Sequence, residues 1–261
     1  MMLKNKAKTR SPLKSKPLRY PGQSLDAEID RVLSDEVITW VMMVILTALF
    51  TLMEWLRWAV SGQFYPFIAT VATCFVLTIS IWKITHARKT LRALRLGRDG
   101  ERAVGQYLDI LSEKGCRVFH DLTSDDFNVD HVVISPHGIF TVETKTFSKP
   151  MGKTATIKVQ NGAIFINGHR TERDLITQAK AQAKWVNGIL KESTGKDYPV
   201  KPVIVFPGWY VEPVSRDERL ETWVLNPKAL PAFIENEPIA LERQDVLLAT
   251  YHLSRHIRTG N

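Results

Sequence analysis

Two uncharged apolar runs, Val37–Met53 and Phe64–Trp82, constrain this chain more than any other feature. A helix needs about 20 apolar residues to cross a hydrocarbon core, with a usual range of about 17–25. Both runs reach that range, the first at its short end. A soluble helix normally keeps a polar face, and neither run has one. Glu54, Arg57, Ser61 and Gly62 lie in the connection, so the pattern predicts a tight transmembrane hairpin over 37–86. Trp40, Trp55, Trp58, Tyr65 and Trp82 fall near the ends, where amphipathic rings prefer the interface.

The flanks set an expected orientation. Residues 1–36 are polar, with eight Lys/Arg against five Asp/Glu; they read as a basic, disordered tail, or as an arm touching anionic lipid or nucleic acid. Lys83, Arg88, Lys89, Arg92 and Arg95 follow the second run, whereas the connection balances Arg57 with Glu54. The positive-inside rule then puts both termini on the cytoplasmic side. The third region, 87–261, carries 25 Lys/Arg against 21 Asp/Glu, a surplus that tolerates a polyanionic ligand without demanding one. Cys74 and Cys116 lie in different regions and build no disulfide framework.

From Gly97 the pattern becomes that of a soluble α/β domain. Arg98–Lys114 reads as a helix with Val104, Leu108 and Leu111 on one stripe. Glu101 extends that apolar stripe: either a glutamate favoured by the helix N-terminus, or an acid that a cation compensates. A strand is expected near Arg117–His120. Ser135-Pro136-His137-Gly138 then joins the β-branched runs Val132–Ile134 and Ile139–Val142 as a hairpin. Asn161-Gly162 predicts a second hairpin. Asp174–Lys191 reads as a helix with Gln178 and Gln182 on a row beside its apolar stripe. Pro202–Phe206 and Thr222–Leu225 read as strands and Arg243–Arg258 as a closing helix, an α/β sandwich around a small mixed sheet.

Chemistry concentrates on the first hairpin. Asp130 opens one strand and Glu143-Thr144-Lys145 closes the other. Residues two apart on a strand share a face, so Glu143 and Lys145 project together where Asp130 can lie alongside. Hard divalent cations take carboxylate and carbonyl oxygens. Glu101, Asp130, Glu143 and the carbonyl of Thr144 are therefore a candidate ligand set, with Lys145 to orient water or offset phosphate charge. Taken singly, each has a plainer role as an edge pair, a turn residue or a helix-start acid; taken together they point to metal-dependent phosphodiester cleavage. The histidines offer no zinc spacing, and Gly97-Arg98-Asp99-Gly100 lacks the Lys-Ser/Thr of a phosphate-binding loop.

Gly97-x-x-Gly100-Glu101, Val129-Asp130-His131, Ser135-Pro136-x-Gly138, Glu143-Thr144-Lys145 and Gln178 together resemble the nuclease-related domain (NERD) of the PD-(D/E)xK nuclease superfamily, over about Gly97 to Phe206. The resemblance implies a restriction-endonuclease-like core: a mixed central sheet flanked by helices. It implies Mg²⁺ or Mn²⁺ held by Glu101, Asp130 and Glu143, a catalytic Lys145, and Gln178 positioning the substrate. Val129 stands where the superfamily has proline, and Asp174–Thr177 lack the Asn-Pro often found before the glutamine. The expected activity is a membrane-anchored nuclease acting on DNA, with RNA also open, and Arg98, Arg102, Lys180 and Lys184 as nucleic-acid contacts. The alternative is a non-catalytic membrane scaffold that binds nucleic acid or a protein.

Overall fold

Ser135 and Gly138 close a tight turn between two β-branched runs, and the sheet of the C-terminal region is built outward from that hairpin. The computed structural model of the chain describes residues 17–62, 66–124, 127–149, 155–160, 162–171, 174–213 and 221–259. It is a mixed α/β structure in two units: one holds residues 22–103 and 145–148, and the described part of the other lies within 17–21, 104–144 and 149–259.

The first unit is mainly helical. α1 (Gln23–Val32) continues through a π-helical stretch, Leu33–Ile38, into α2 (Thr39–Ser61); α3 (Pro66–Glu113) follows. The polar tail expected over 1–36 is thereby corrected from residue 23 onward, while residues 1–16 lie outside the described residues. The reason is burial: Ile29 and Val32 pack on Ala87 and Leu91 of α3. Asp26 adds ion pairs to Arg98 and Arg102 at 3.4 and 2.6 Å. Nor does a separate helix begin at Arg98, because α3 runs unbroken for 48 residues through Gly97 and Gly100.

The two helical stretches are long and apolar enough to cross a membrane. Leu46, Leu49, Phe50 and Met53 on α2, and Phe67, Ile68, Val71 and Phe75 on α3, are exposed. The polar groups among them turn toward each other. Thr51 and Thr73 hydroxyls lie 2.7 Å apart, within reach of the Ala69 and Thr47 carbonyls. Trp55 Nε1 donates to Thr70 Oγ1 at 3.0 Å. Hydroxyls bonded across a helix pair are a usual way to satisfy polar atoms in an apolar solvent.

In the second unit, β1 (Arg117–Thr123), β2 (Asn128–Ser135) and β3 (Gly138–Thr144) form an antiparallel meander, and β7 (Val200–Val205) and β9 (Trp223–Leu225) extend it in parallel, in the order β1-β2-β3-β7-β9. α4 (Leu175–Thr194) and α6 (Arg243–Thr259) cover one face through Val186, Leu190, Ala249 and Leu253. Val104, Leu108 and Leu111 at the end of α3, with Leu230 and Ile234 of α5 (Leu230–Glu235), cover the other. Burial on both faces explains why β2 and β3 read as apolar runs rather than alternating strands. A second, four-stranded sheet comprises β4 (Thr156–Gln160), β5 (Ala163–Ile166), β6 (His169–Arg170) and β8 (Tyr210–Val211), in the order β6-β5-β4-β8. Gly162 lies between β4 and β5 as expected, with φ 70°; Asn161 is outside the described residues.

The segment before α1 is tied to this unit. Arg19 Nη2 and Nε reach Asp121 Oδ2 at 2.6 and 2.7 Å, and Asp121 is 1% exposed. Losing one partner of a buried ion pair costs about 3–5 kcal/mol. Arg19→Met should accordingly lower the unfolding free energy by about 3 kcal/mol. Denaturant unfolding of the full chain in detergent, with hydrogen exchange at β1, checks this; an unchanged midpoint and unchanged protection would refute it.

Candidate active site

Pairing of His131 with Val142 and Val132 with Thr141 brings Asp130, one step further, opposite Glu143. Opposite residues of an antiparallel pair share a face, with Cβ atoms about 4.5–5.5 Å apart. Asp130 Oδ2 accepts the backbone N–H of Thr144 at 2.6 Å, which fixes its carboxylate at the carboxyl end of β3. Glu143 is 4% exposed. Its Oε1 accepts from Gln178 Nε2 at 2.8 Å and its Oε2 from Gln182 Nε2 at 2.5 Å. Gln182 also donates to the Asn128 carbonyl at 2.8 Å. One turn of α4 thus grips the carboxylate from two sides, offsetting much of its desolvation. Gln178 was the expected glutamine; Gln182 is an addition, and its signal was the i, i+4 spacing that puts both on one helix row.

β3 ends at Thr144, so Lys145 follows the strand rather than closing it. Lys145 and Glu101 both belong to the helical unit. There, Gly100 and Thr146 meet so closely that a Cβ on Gly100 would lie 1.8 Å from Thr146 Oγ1. Glu101 and Lys145 each sit one residue from that contact, and Glu101 is buried.

The opposite face of β2 carries a histidine pair. His120 and His131 are cross-strand partners with Nδ1 atoms 2.8 Å apart. His131 Nε2 is 3.5 Å from Thr144 Oγ1. Burial pushes the His131 imidazolium well below its ordinary range, helped by His120. Burial also lowers His120, against the pull of Asp109 and Asp121. Burial thus disfavours the cation on both rings, and the 2.8 Å contact needs one Nδ1 to donate and the other to accept.

The four expected nucleic-acid contacts are spread out. Asp26 and Asp99 hold Arg98, and Asp26 holds Arg102. Lys180 and Lys184 line a cleft of about 590 Å³ with His137, Pro199 and Lys201, at the amino ends of β3 and β7. Lys180 pairs there with Glu221 at 2.6 Å. Gly138, at that cleft, is five residues from Glu143, about 16 Å along a strand. The cleft thus opens at the other end of β3 from Glu143.

Two carboxylates on one face fit a magnesium ion that takes one or two of them and completes its shell with water and substrate phosphate. They do not fit an all-protein cage: among the described residues, no group of three or more His, Cys, Asp or Glu side chains could hold a metal.

Residues 96–207 match the family model described as the nuclease-related domain, NERD. No curated protein and no solved structure matches the chain.

Proposed function

Because residues 96–207 carry a nuclease-related domain, we propose that the protein is a divalent-metal-dependent nuclease, anchored in a membrane by α2 and the apolar part of α3. The observation that carries this reading is the Asp130–Glu143 carboxylate pair, with Glu143 held by Gln178 and Gln182. It lies at the carboxyl end of β3, where β3 and β7 run parallel, the usual end for ligands in such sheets. A restriction-endonuclease-like core is the matching architecture.

In this reading Asp130, Glu143 and the backbone carbonyl of Thr144 would hold Mg²⁺ or Mn²⁺, and the third acid expected from the sequence, Glu101, is not needed as a ligand. The ion would polarise the phosphoryl oxygen and lower the pKa of an attacking water. Gln178 and Gln182 keep the Glu143 carboxylate in one orientation, so that no reorganisation is needed when substrate arrives. Lys145 orients the water or offsets charge on the phosphate. Arg98, Arg102, Lys180 and Lys184 contact phosphates; three of them exchange a carboxylate partner for the nucleic acid, so binding weakens as salt rises. DNA is the expected substrate and RNA a second; a contact to the 2′-hydroxyl is what would tell them apart. The basic flanks put both termini, and the domain, on the cytoplasmic side.

The full chain in detergent should nick supercoiled plasmid with millimolar Mg²⁺ or Mn²⁺ and lose all nicking in EDTA. Lys145→Ala should slow it by about 10²-fold or more, the usual cost of one charge-stabilising group. Equal nicking in EDTA, or by the Lys145→Ala protein, would refute the reading. A non-catalytic scaffold is the second reading, favoured by the occupation of both Glu143 oxygens by amides. It predicts metal-independent binding of nucleic acid with no cleavage by any divalent ion.

A further inference from the structure

Among the described residues, the second sheet has one covered face and one that nothing covers. Ile157, Val159 and Ile164 turn inward onto Leu175, Ala179, Ile204, Phe206 and Val224. Register then sends Thr156, Lys158, Gln160, Ala163, Phe165, Arg170 and Tyr210 to the other side. On it, Arg170, Phe165 and Lys158 form one cross-strand row. Tyr210 pairs with Thr156, two residues along β4, and is 57% exposed. Strand spacing and rise put Phe165 and Tyr210 about 12 Å apart, on alternate strands.

We infer that this face binds single-stranded nucleic acid, a substrate class that rests on, and narrows, the nuclease reading above. Four features favour that occupant. A four-stranded sheet can stack two or three unpaired bases on aromatic rings of its outer face; here Tyr210 is exposed and Phe165 half-buried, and a duplex does not offer its base faces. Cations flank the ring of Phe165 on both sides, as a sugar–phosphate track requires. One acid, Glu212, approaches Lys158 at 3.9 Å with both side chains well exposed, a contact that a phosphate can displace. Lastly, the sheet is continuous with the candidate site. Its inner face packs on Leu175 and Ala179, which flank Gln178 on α4, and on Ile204, the β7 partner of Glu143.

The test is fluorescence anisotropy of a labelled oligothymidylate and of a duplex of equal length, with the full chain in detergent and EDTA so that nothing is cut. The single strand should bind at least tenfold more tightly than the duplex. Tyr210→Ala and Phe165→Leu, which remove a ring but leave the inner face alone, should each weaken single-strand binding about five- to hundredfold, the range of one base–aromatic stack, while Tyr210→Trp retains it. Lys158→Gln with Arg170→Gln should flatten the salt dependence. Unchanged single-strand affinity in both ring variants, or equal affinity of wild type for duplex, would overturn the inference. Ring-dependent binding without Mg²⁺-dependent cleavage would overturn the nuclease reading and leave this one standing. Cleavage with ring-independent binding would do the reverse.

Discussion

Glu143→Gln should abolish measurable nicking, lowering the rate by about 10³-fold or more, while the chain still folds. The substitution keeps shape and volume but removes one of two carboxylates from the proposed metal site. Several kcal/mol of transition-state stabilisation rest on that ion, and about 4 kcal/mol is already three decades of rate. The folded state is perturbed for a different reason. Gln182 Nε2 donates both to Glu143 and to the Asn128 carbonyl, so it cannot turn its amide without losing the second bond. The new amide must therefore present oxygen to Gln182 and nitrogen to Gln178, and Gln178 can rotate to accept. The cost to stability is about 1 kcal/mol. Plasmid nicking beside thermal unfolding of the same preparation separates the two effects. Nicking within tenfold of wild type by a folded Glu143→Gln protein would remove Glu143 from the chemistry.

The second large effect is expected at Gly100. Alanine in a helix interior is ordinarily about 1 kcal/mol better than glycine. Here its Cβ would lie 1.8 Å from Thr146 Oγ1, 2.9 Å from Thr146 Cβ and 3.2 Å from its Cγ2. Rotating the threonine moves the hydroxyl but not its Cβ, so backbone must shift as well. Overpacking of this kind costs about 1–3 kcal/mol, occasionally more, and the helical gain is lost in it. Gly100→Ala should therefore destabilise by about 2 kcal/mol. It should also depress nicking, because the contact lies between the neighbours of Glu101 and Lys145. Thr146→Gly in the same chain should restore stability. A Gly100→Ala protein as stable as wild type would show that the close approach is not required.

What the sequence disclosed, and what it hid, follows from how local each signal was. The β2–β3 hairpin was legible because β-branched runs and a Pro-x-Gly turn are contiguous. Glu143 and Gln178 were picked out by a pattern of fixed spacings, and their side chains meet at 2.8 Å. α1 was hidden because Ile29 and Val32 are sparse apolar positions in a polar stretch and bury only against Ala87 and Leu91, far along the chain. β6 and β8 are two residues each, too short for any periodicity, so only the β4–β5 hairpin of the second sheet could be read. Lys180 and Lys184 were nominated by charge, although helix phase already separates them from the glutamines. Lys180 is two residues from both Gln178 and Gln182, about 200° round the axis.

α3 has no break between its apolar stretch and Glu101, which makes it a ruler. Nineteen residues separate Trp82 from Glu101, about 28 Å of helix axis. With Trp82 at the lipid surface, that acid is carried at a set height above it, and an inserted pair of residues would swing it about 200° round the axis. Encounters become a matter of geometry before they become one of affinity. For the membrane-anchored nuclease proposed above, a nucleic acid would have to come within roughly one helix length of the bilayer to be met, and those that stay deeper in the aqueous phase would be spared by distance.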